Sequence, residues 1–435
     1  MEAIVLKAKL QHLFLCLVLA LGFVSISSAL VAQQSVAAAA SVAVPETTIA
    51  AKAGIAVDAD SGQILAEKDS QKVLPIASMS KLLSIYLVLK AVKEGKLSWS
   101  KQLTPSTLAY SLSQNMELSN IPFEEGVSYS AKELYEASLI YSANSAIMVL
   151  ADAISGSQNK FVDAMKAQLK EWGINDEKIV NVSGLPNSYL GDNRYPGSSS
   201  ADENKLSARD VAVIAKHVID EFPEVLTTAS QTNLPFHGTT YSNWNLMLKG
   251  QTAAESDLPV DGLKTGTGDA AGDCFVGTVK KNGFRVITVI LHADGQEADT
   301  AKRFTATAAL MHNVYQNWEI KTVLKENEAN SALTPVKVTN SKQTSVKVVP
   351  GETVKMLLPK STKASQLNFT VSNSNVSRTA PIKKGDHLGK VDLPAIGSGY
   401  LSGTTAQAVP VLAQQSVKAL TWWQKAWHNM TGLFS

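Results

Sequence analysis

Cysteine is scarce in this chain of 435 residues, which has only Cys16 and Cys274. Cys16 lies in an N-terminal apolar stretch that we expect to be removed, so no intramolecular disulfide can form in the rest of the chain. Cys274 lies in an apolar, strand-like segment, where a packing role is more common than a catalytic one. The cysteines and histidines show no metal-ligand spacing, and we expect neither a metal nor another cofactor.

The chain also lacks an excess of charge of either sign. Lys and Arg number 40 against 38 Asp and Glu, a net charge of +2, which argues against a nucleic-acid partner bound by phosphate neutralisation. After the N-terminal stretch, no apolar run reaches the ~18 residues that a spanning helix needs. Hydrophobic residues make up 45% of the chain, so a sizeable core is available, and the length suggests two or three domains.

The N-terminal residues have the features of a secretory signal. Lys7 and Lys9 precede an apolar stretch that ends near Val24, and small residues follow. We predict a signal peptide over residues 1–32, with its cleavage point left open. The alternative is a retained membrane anchor, which the shortness of the apolar stretch disfavours. Residues 33–48 are rich in Ala, Val, Gln and Ser and are predicted to be a flexible segment.

Residues 49–325 are predicted to form one domain with strands at both ends of the segment and helices between them. Hairpins are predicted around the turn residues 58–62 and 281–283. Helices are predicted over 78–94, 131–154 and 163–172, from Ser207 onward, and over 298–318. This order predicts an α/β domain whose sheet combines early and late segments of the chain.

The pattern changes beyond residue 325. Short Val-, Thr- and Leu-rich runs separated by turn residues predict a small all-β domain over 333–410. The segment 411–435 predicts an amphipathic helix, whose apolar face is formed by Leu420, Trp423, Trp427, Met430 and Phe434. Tryptophan on one face and lysine on the other are typical of a helix lying at a membrane surface. The alternative is a helix packed on the protein's own core.

Three short fragments follow one another along the chain: Ser78-Met79-Ser80-Lys81, Ser142-Ala143-Asn144 and Lys264-Thr265-Gly266. Each is weak alone, because the patterns Ser-x-x-Lys and Ser-x-Asn each occur three times. Context favours Ser78 over Ser98 and Ser157, since Ser78 opens the most apolar helix of the chain.

The first fragment has the parts of an activated nucleophile. Residues three apart share a helix face, so Lys81 can reach the Ser78 hydroxyl. The N-terminus of the helix favours negative charge nearby, and burial would lower the pKa of Lys81 and let it act as a base. The alternative is that Ser78 only caps the helix and Lys81 is solvated.

The third fragment lies among glycines at 262, 266 and 268. Glycines remove side chains beside a strand, so another backbone segment can lie against it. Lys264 and the hydroxyls of Thr265 and Thr267 could hold a carboxylate. The alternative is a glycine-rich turn with an exposed lysine.

In this order the fragments resemble the penicillin-binding protein and serine β-lactamase superfamily, and within it the low-molecular-mass D-alanyl-D-alanine carboxypeptidases. The likeness covers roughly residues 48–320, with Ser80 where Thr is usual. Other stretches also resemble that family: Asn181-Val182-Ser183-Gly184-Leu185, Ser207-Ala208-Arg209-Asp210 and Asn243-Trp244-Asn245-Leu246. The resemblance implies a sheet with flanking helices and a helical subdomain.

The resemblance also implies a function and a set of site residues. The expected enzyme is a secreted serine-type D-Ala-D-Ala carboxypeptidase at the outer face of the cell membrane, attached through its C-terminal helix. It would act on peptidoglycan stem peptides and be acylated by β-lactam antibiotics. The expected catalytic residues are Ser78 as nucleophile, Lys81 as base and Ser142 as proton relay. The expected substrate-binding residues are Asn144, Lys264, Thr265, Gly266, Thr267 and Arg303.

Other functions remain open from the sequence. A β-lactamase needs a carboxylate that activates the deacylating water, and Glu171 with Asn175 could supply such a pair. Glu171 is, however, expected at a solvated helix end. A DD-endopeptidase of the same family would differ only in the D-Ala bond that it cuts. A wall-binding or antibiotic-sensing protein without hydrolytic activity is the third alternative.

Overall fold

The structure is a computed structural model that describes residues 44–296, 298–372, 376–394, 396–404 and 408–431, without the side chains of 427–431. The predicted signal peptide over 1–32 therefore lies outside the described residues. So does the flexible segment 33–48, apart from its last residues.

Helices are numbered by their order in the chain. They are α1 Lys81–Lys93, α2 Thr107–Ser113, α3 Ala131–Ile140, α4 Asn144–Ser155, α5 Gln158–Glu171, α6 Ala208–Glu221, α7 Val225–Ala229, α8 Lys302–Asn317 and α9 Trp422–Thr431. Short 3-10 segments cover Ala77–Ser80, Asn187–Asn193 and Ala364–Gln366.

Strands precede, follow and separate these helices. They are β1 Ala51–Asp58, β2 Ile64–Lys68, β3 Leu74–Pro75, β4 Gln102–Leu103, β5 Tyr129–Ser130, β6 Lys205–Leu206, β7 Asn233–Phe236, β8 Thr239–Ser242, β9 Val260–Gly268, β10 Gly272–Lys281, β11 Phe284–Ala293, β12 Trp318–Leu324, β13 Val336–Thr339, β14 Ser345–Val346, β15 Val348–Pro350, β16 Val354–Pro359, β17 Thr370–Ser372, β18 Arg378–Thr379, β19 His387–Asp392 and β20 Ala408–Ala413.

A five-stranded antiparallel sheet organises the first domain, in the order β2-β1-β11-β10-β9. Both predicted hairpins are confirmed, and the expected union of early and late strands is confirmed by the β1–β11 pairing. Ile55 and Val57 belong to one hydrophobic core, while Ala56 between them belongs to a second one. Since side chains alternate along a strand, the sheet separates two cores and places β9 at its edge.

Helix α1 lies inside the larger core. Leu82, Leu83, Ile85 and Val88 are fully buried, so the helix is surrounded on nearly every side. The predicted helix over 78–94 is confirmed in position, although its first turn is a 3-10 segment and Gly95 follows its end with a positive φ of 72°. Burial of α1 fixes the turn that precedes it.

Capping residues set where two other helices begin. The side chains of Ser130 and Ser207 each accept a hydrogen bond from the backbone N–H three residues on. In return, the backbone N–H groups of these two serines donate to the carboxylates of Glu133 and Asp210. The predicted starts of α3 and α6 are therefore confirmed. The start predicted for the last helix of the domain is wrong, because α8 begins at Lys302 rather than at residue 298.

One predicted helix is wrong in a way that concerns the site. The segment expected as a single helix over 131–154 is two helices, α3 and α4, separated at Tyr141, Ser142 and Ala143. Ser142 has a φ of 63°, which is left-handed and interrupts the helical path. The second fragment thus lies at a break and not on a helix.

The second domain is all-β, as predicted, with β15, β20, β19 and β17 in one sheet. Strand β12 lies before the expected boundary at 325 but pairs with β16. Residues 411–413 belong to strand β20, so the helix expected over 411–435 is shorter and α9 begins at Trp422. Within the described residues, none of the helices combines the length and the hydrophobicity needed to cross a bilayer.

Candidate active site

The Ser78 side chain is half-buried in the 3-10 turn that leads into α1. Two glycines let other backbone segments close in on this turn. A Cβ on Gly184 would lie 1.9 Å from the Ala77 carbonyl oxygen, and one on Gly266 would lie 2.7 Å from the Ile76 carbonyl oxygen. These positions exclude any side chain. The turn is therefore held between the Gly184 loop and strand β9.

The Lys81 amine is fully buried and has three partners. Its Nζ lies 2.9 Å from Ser78 Oγ, 2.6 Å from Asn144 Oδ1 and 2.8 Å from the Ser183 carbonyl oxygen. A neutral amine has two N–H donors and one lone pair. As an ammonium, Lys81 donates to all three oxygens. In the neutral form the Asn144 and Ser183 oxygens, which only accept, take both donors, and the lone pair faces the Ser78 hydroxyl. This geometry suits proton removal from Ser78.

Burial and like charge favour that neutral form. Burial lowers the pKa of Lys81 well below its usual value, and the nearby Lys264 lowers it further. Burial also lowers the pKa of Lys264 to about 7, with a contribution from the positive charge of Arg303. Lys264 Nζ donates to the Thr265 carbonyl at 3.1 Å. Lys264 is thus poised to exchange a proton near neutral pH, while burial and the charge of Lys264 favour the neutral form of Lys81.

Ser142 enters the site from the break between α3 and α4. Its side chain is only 3% exposed, yet it lines the cleft, and its Oγ has no hydrogen-bond partner among the described residues. A buried hydroxyl without a partner is unusual and costs stability. Such a group is free to accept or donate a proton when a substrate fills the cleft.

Asn144 lies at the start of α4 with both ends of its amide occupied. Its Oδ1 accepts from Lys81, and its Nδ2 donates to the Ser119 carbonyl at 2.9 Å. The resemblance implies that Asn144 orients the substrate amide. In this structure it also orients the Lys81 amine, a role that the sequence did not predict.

Strand β9 and α8 form the cationic end of the cleft. Arg303 is buried, and its guanidinium donates to Thr267 Oγ1 at 2.8 Å and to the Gly266 carbonyl at 2.9 Å. It also pairs with the buried carboxylate of Asp273. Thr265 and Thr267 both line the cleft beside Arg303. All of the expected substrate-binding residues therefore lie around this end or at Asn144.

The cleft that these residues border has a volume of about 500 Å³. Ser78, Ser142 and Thr265 line it together, so the three sequence fragments meet in one place. Leu185, Tyr189, Trp244 and Phe304 supply apolar and aromatic walls. The volume suits a short peptide or a bicyclic drug.

The pair proposed for the β-lactamase alternative lies elsewhere. Glu171 is exposed at the end of α5, where its Oε2 accepts from Gln168 Nε2 at 3.0 Å, and it does not line the cleft. Three other carboxylates line the cleft, which the sequence did not single out: Glu117, Glu203 and Asp269.

Sequence reasoning missed the residues that support the site. The Ser183 carbonyl accepts a hydrogen bond from Lys81, and the Ser119 carbonyl accepts one from Asn144. The Asp273 carboxylate pairs with Arg303. The only signal for Ser183 was its place in a stretch that resembles the family. Ser119 and Asp273 belong to no motif, because their contribution depends on where the fold brings them.

Both parts of the chain are similar to known proteins. A family model described as D-alanyl-D-alanine carboxypeptidase matches residues 38–295, and one described as the C-terminal domain of penicillin-binding protein 5 matches residues 318–419. D-alanyl-D-alanine carboxypeptidase DacC of Escherichia coli (strain K12) is 26% identical over 392 residues, which are 89% of this chain and 90% of the relative.

Two solved structures are similar as well. The peptidoglycan synthesis regulatory factor PBP3 from Streptococcus pneumoniae is 39% identical with a TM-score of 0.71, covering 86% of this chain and 100% of that one. Penicillin-Binding Protein D2 from Listeria monocytogenes, in its ampicillin-bound form, is 31% identical with a TM-score of 0.51, covering 62% of this chain and 98% of that one.

Proposed function

Because this chain belongs to the D-alanyl-D-alanine carboxypeptidase family, we propose that it removes the terminal D-alanine from peptidoglycan stem peptides through an acyl-enzyme on Ser78. It is a serine-type, penicillin-binding carboxypeptidase of cell-wall metabolism. β-lactams enter by the same route as the peptide and remain attached to the nucleophile.

Acylation begins with Ser78. The neutral Lys81 amine takes the proton of the Ser78 hydroxyl, and Oγ attacks the carbonyl carbon of the penultimate D-alanine. The backbone N–H groups of Ser78 and Thr267 stabilise the oxyanion, each worth roughly 3 kcal/mol. The peptide C–N bond then breaks and leaves an ester between the peptide and Ser78.

The leaving D-alanine needs a proton on its nitrogen. Ser142 delivers it, because its hydroxyl has no other partner among the described residues and lines the cleft beside Ser78. Lys264 resupplies Ser142, since an amine with a pKa of about 7 gives up a proton readily at neutral pH. The terminal carboxylate lies against Thr265, Thr267 and Arg303, whose guanidinium supports its charge.

Deacylation reverses the roles. A water molecule attacks the ester carbonyl and gives its proton to a neutral amine of the site. The ester C–O bond to Ser78 breaks, and Lys81 returns the proton that it took in acylation, so the Ser78 oxygen leaves as a hydroxyl. The shortened peptide is released. A β-lactam adduct retains its cleaved ring amine as part of the acyl group, so it obstructs the approach of water.

One observation carries this proposal: the three contacts of Lys81 Nζ, two to obligate acceptors and one to Ser78 Oγ. An N-capping serine beside a solvated lysine would not have this geometry. A neutral, desolvated amine whose lone pair faces a half-buried hydroxyl is what histidine-free acyl transfer requires.

The test is mass spectrometry of the purified chain with penicillin, beside an assay for free D-alanine from a D-Ala-D-Ala peptide. We expect one penicilloyl group on Ser78 and release of a single D-alanine per peptide. Ser78→Ala should abolish both signals. Ser98→Ala is the matched control, because Ser98 also begins a Ser-x-x-Lys pattern. Label on another residue, or rapid turnover of penicillin, would contradict the proposal.

The enzyme acts outside the cytoplasm, as cell-wall carboxypeptidases do. Attachment to the membrane surface through α9 is our proposal. Trp422 and Trp423 begin this helix, are 64% and 67% exposed and stack with ring centroids 3.4 Å apart. Exposed tryptophans are favoured at a membrane interface. Of the predicted apolar face, Leu420 is half-buried and Trp423 is exposed, while Trp427, Met430 and Phe434 lie outside the described side chains.

A further inference from the structure

Helix α3 ends at a carbonyl that one distant side chain binds. Trp244 donates from its indole Nε1 to the Tyr141 carbonyl oxygen at 2.9 Å. The last carbonyls of a helix have no partner within the helix and need one from elsewhere. Trp244 therefore completes α3 directly before Ser142, the residue at which the chain turns into α4.

Trp244 itself is rigidly presented. Asn243 is buried, and its Nδ2 donates to the carbonyls of Ala229 and Gln231 at 3.1 and 2.8 Å. Its Oδ1 accepts from the backbone of Asn245 at 2.8 Å. These bonds fix the backbone on both sides of Trp244, so the indole is directed at Tyr141 by the fold rather than by chance.

The indole is also unusually exposed for a residue with a fixed partner. Trp244 is 47% exposed and lines the cleft, and its ring lies 5.6 Å from the ring of Tyr141. A large aromatic side chain left half in solvent at a cleft wall is seldom there for core packing. Its hydrogen bond, in contrast, acts one residue away from Ser142, whose hydroxyl has no partner in the part of the chain that the structure describes.

Ser142 needs such support because its backbone is strained. A left-handed φ in a non-glycine residue costs about 1 kcal/mol or more and persists only when surrounding contacts impose it. Two further contacts flank the break: Ala143 N donates to the Ala137 carbonyl at 3.0 Å, and Asn144 N donates to the Ser119 carbonyl at 2.9 Å. Trp244 supplies a further contact at the Tyr141 carbonyl, from outside both helices.

We propose that Trp244 is a positioning residue for Ser142: its indole N–H holds the Tyr141 carbonyl so that the Ser142 hydroxyl is directed into the cleft. The inference rests on the proposed function, because it assigns Trp244 to the step that Ser142 serves. Trp244 does not take part in the chemistry itself.

Two variants separate the hydrogen bond from the ring. Trp244→Phe keeps an aromatic ring and loses the donor. Trp244→Gln loses the ring but places an amide N–H at the same number of bonds from Cα as the indole nitrogen. We expect Trp244→Phe to slow acylation by penicillin about tenfold, because one orienting hydrogen bond is lost. Trp244→Gln keeps a donor and should therefore retain more of the original acylation rate. Trp423→Phe is the control for an exposed tryptophan far along the chain from the cleft.

The same variants are measured with a D-Ala-D-Ala peptide. Loss of positioning should lower kcat and leave KM within about twofold, since ground-state binding does not need the Ser142 hydroxyl. A wall that only contacts substrate would raise KM instead. The proposal would be overturned if Trp244→Phe is acylated faster than Trp244→Gln, or if its acylation rate lies within about twofold of that of the original chain.

A double-mutant cycle with Ser142→Ala tests whether Trp244 acts through Ser142. Without the Ser142 hydroxyl, adding Trp244→Phe should change the acylation rate by less than about twofold, because nothing remains to be positioned. A full tenfold loss in that background would show that Trp244 acts independently and would sink the inference. Failure of the original chain to label at Ser78 is a different result, and it would overturn the proposed function itself.

Discussion

Replacing Lys264 by methionine should lower activity and raise stability at the same time. Lys264 is fully buried, and burial together with Arg303 lowers its pKa from the ordinary 10.5 to about 7. The unfolded chain therefore binds a proton at this residue more tightly than the folded chain does. Methionine has a similar volume and carries no charge to desolvate.

The sign of the pH dependence follows from that difference. Below about pH 7 both states hold the proton, and the folded state bears the full cost of a buried charge. Between about pH 7 and about pH 10.5 only the unfolded state holds it, so the cost declines as the pH rises. At about 1.4 kcal/mol per pKa unit, the cost is about 5 kcal/mol near pH 6 and about 2 kcal/mol near pH 9.

The variant should gain most of this free energy. Loss of the hydrogen bond from Lys264 to the Thr265 carbonyl offsets about 1 kcal/mol at either pH. Lys81 adds to the gain near pH 6, because its own pKa is lowered partly by Lys264 and rises when that charge is removed. The free energy of unfolding should thus increase, by about 3 kcal/mol more near pH 6 than near pH 9.

Urea unfolding followed by tryptophan fluorescence at the two pH values measures this difference, and penicillin labelling measures activity. Acylation should fall by about a hundredfold or more, as expected for loss of a proton-transfer partner. Lys280→Met is the control, because Lys280 is exposed on the neighbouring strand. An equal gain at both pH values, or a variant less stable near pH 6, would refute the reasoning.

Three further predictions concern the turn, the cationic end and the tail. Gly184→Ala should destabilise by about 3 kcal/mol or more in urea, because its Cβ would overlap the Ala77 carbonyl. Gly197→Ala, with a similar φ and open space around it, should cost only about 1 kcal/mol, and equal losses would contradict the steric argument. Arg303→Gln combined with Asp273→Asn, which leaves no buried charge without its partner, should raise KM for a D-Ala-D-Ala peptide about tenfold or more, as for a lost charged hydrogen bond, but leave the C-terminally amidated peptide unaffected. An unchanged KM would contradict the assignment of Arg303 to the carboxylate. A chain ending at Thr421 keeps strand β20 and should leave the membrane fraction with full acylation activity; retention in that fraction would exclude α9 as the anchor.

Local patterns were enough to predict most of the secondary structure around the site. The two hairpins, the helix starts after Ser130 and Ser207 and the buried helix α1 all follow from rules that span a few residues. The contact between Ser78 and Lys81 is of the same kind, since residues three apart face the same side of a helical turn.

The break at Ser142 could not be predicted from its neighbours. Tyr141, Ser142 and Ala143 include neither glycine nor proline, and the apolar periodicity continues across them. Trp244 and Ser119, far away in the sequence, hold the backbone on either side of the left-handed residue, in addition to the local bond from Ala143 N to the Ala137 carbonyl. Tertiary contacts therefore overrode a local preference for helix, and they did so at a site residue.

The chain's own order of residues determined which groups could do chemistry: a serine with a lysine one turn away, a second serine with an asparagine, and a lysine among glycines. Only the tertiary structure decided how those groups behave. Burial and mutual repulsion set the protonation of Lys81 and Lys264, and distant carbonyls aim the lone pair at Ser78. Desolvation and long-range contacts depend on where the whole fold places a side chain, and no local pattern contains that information.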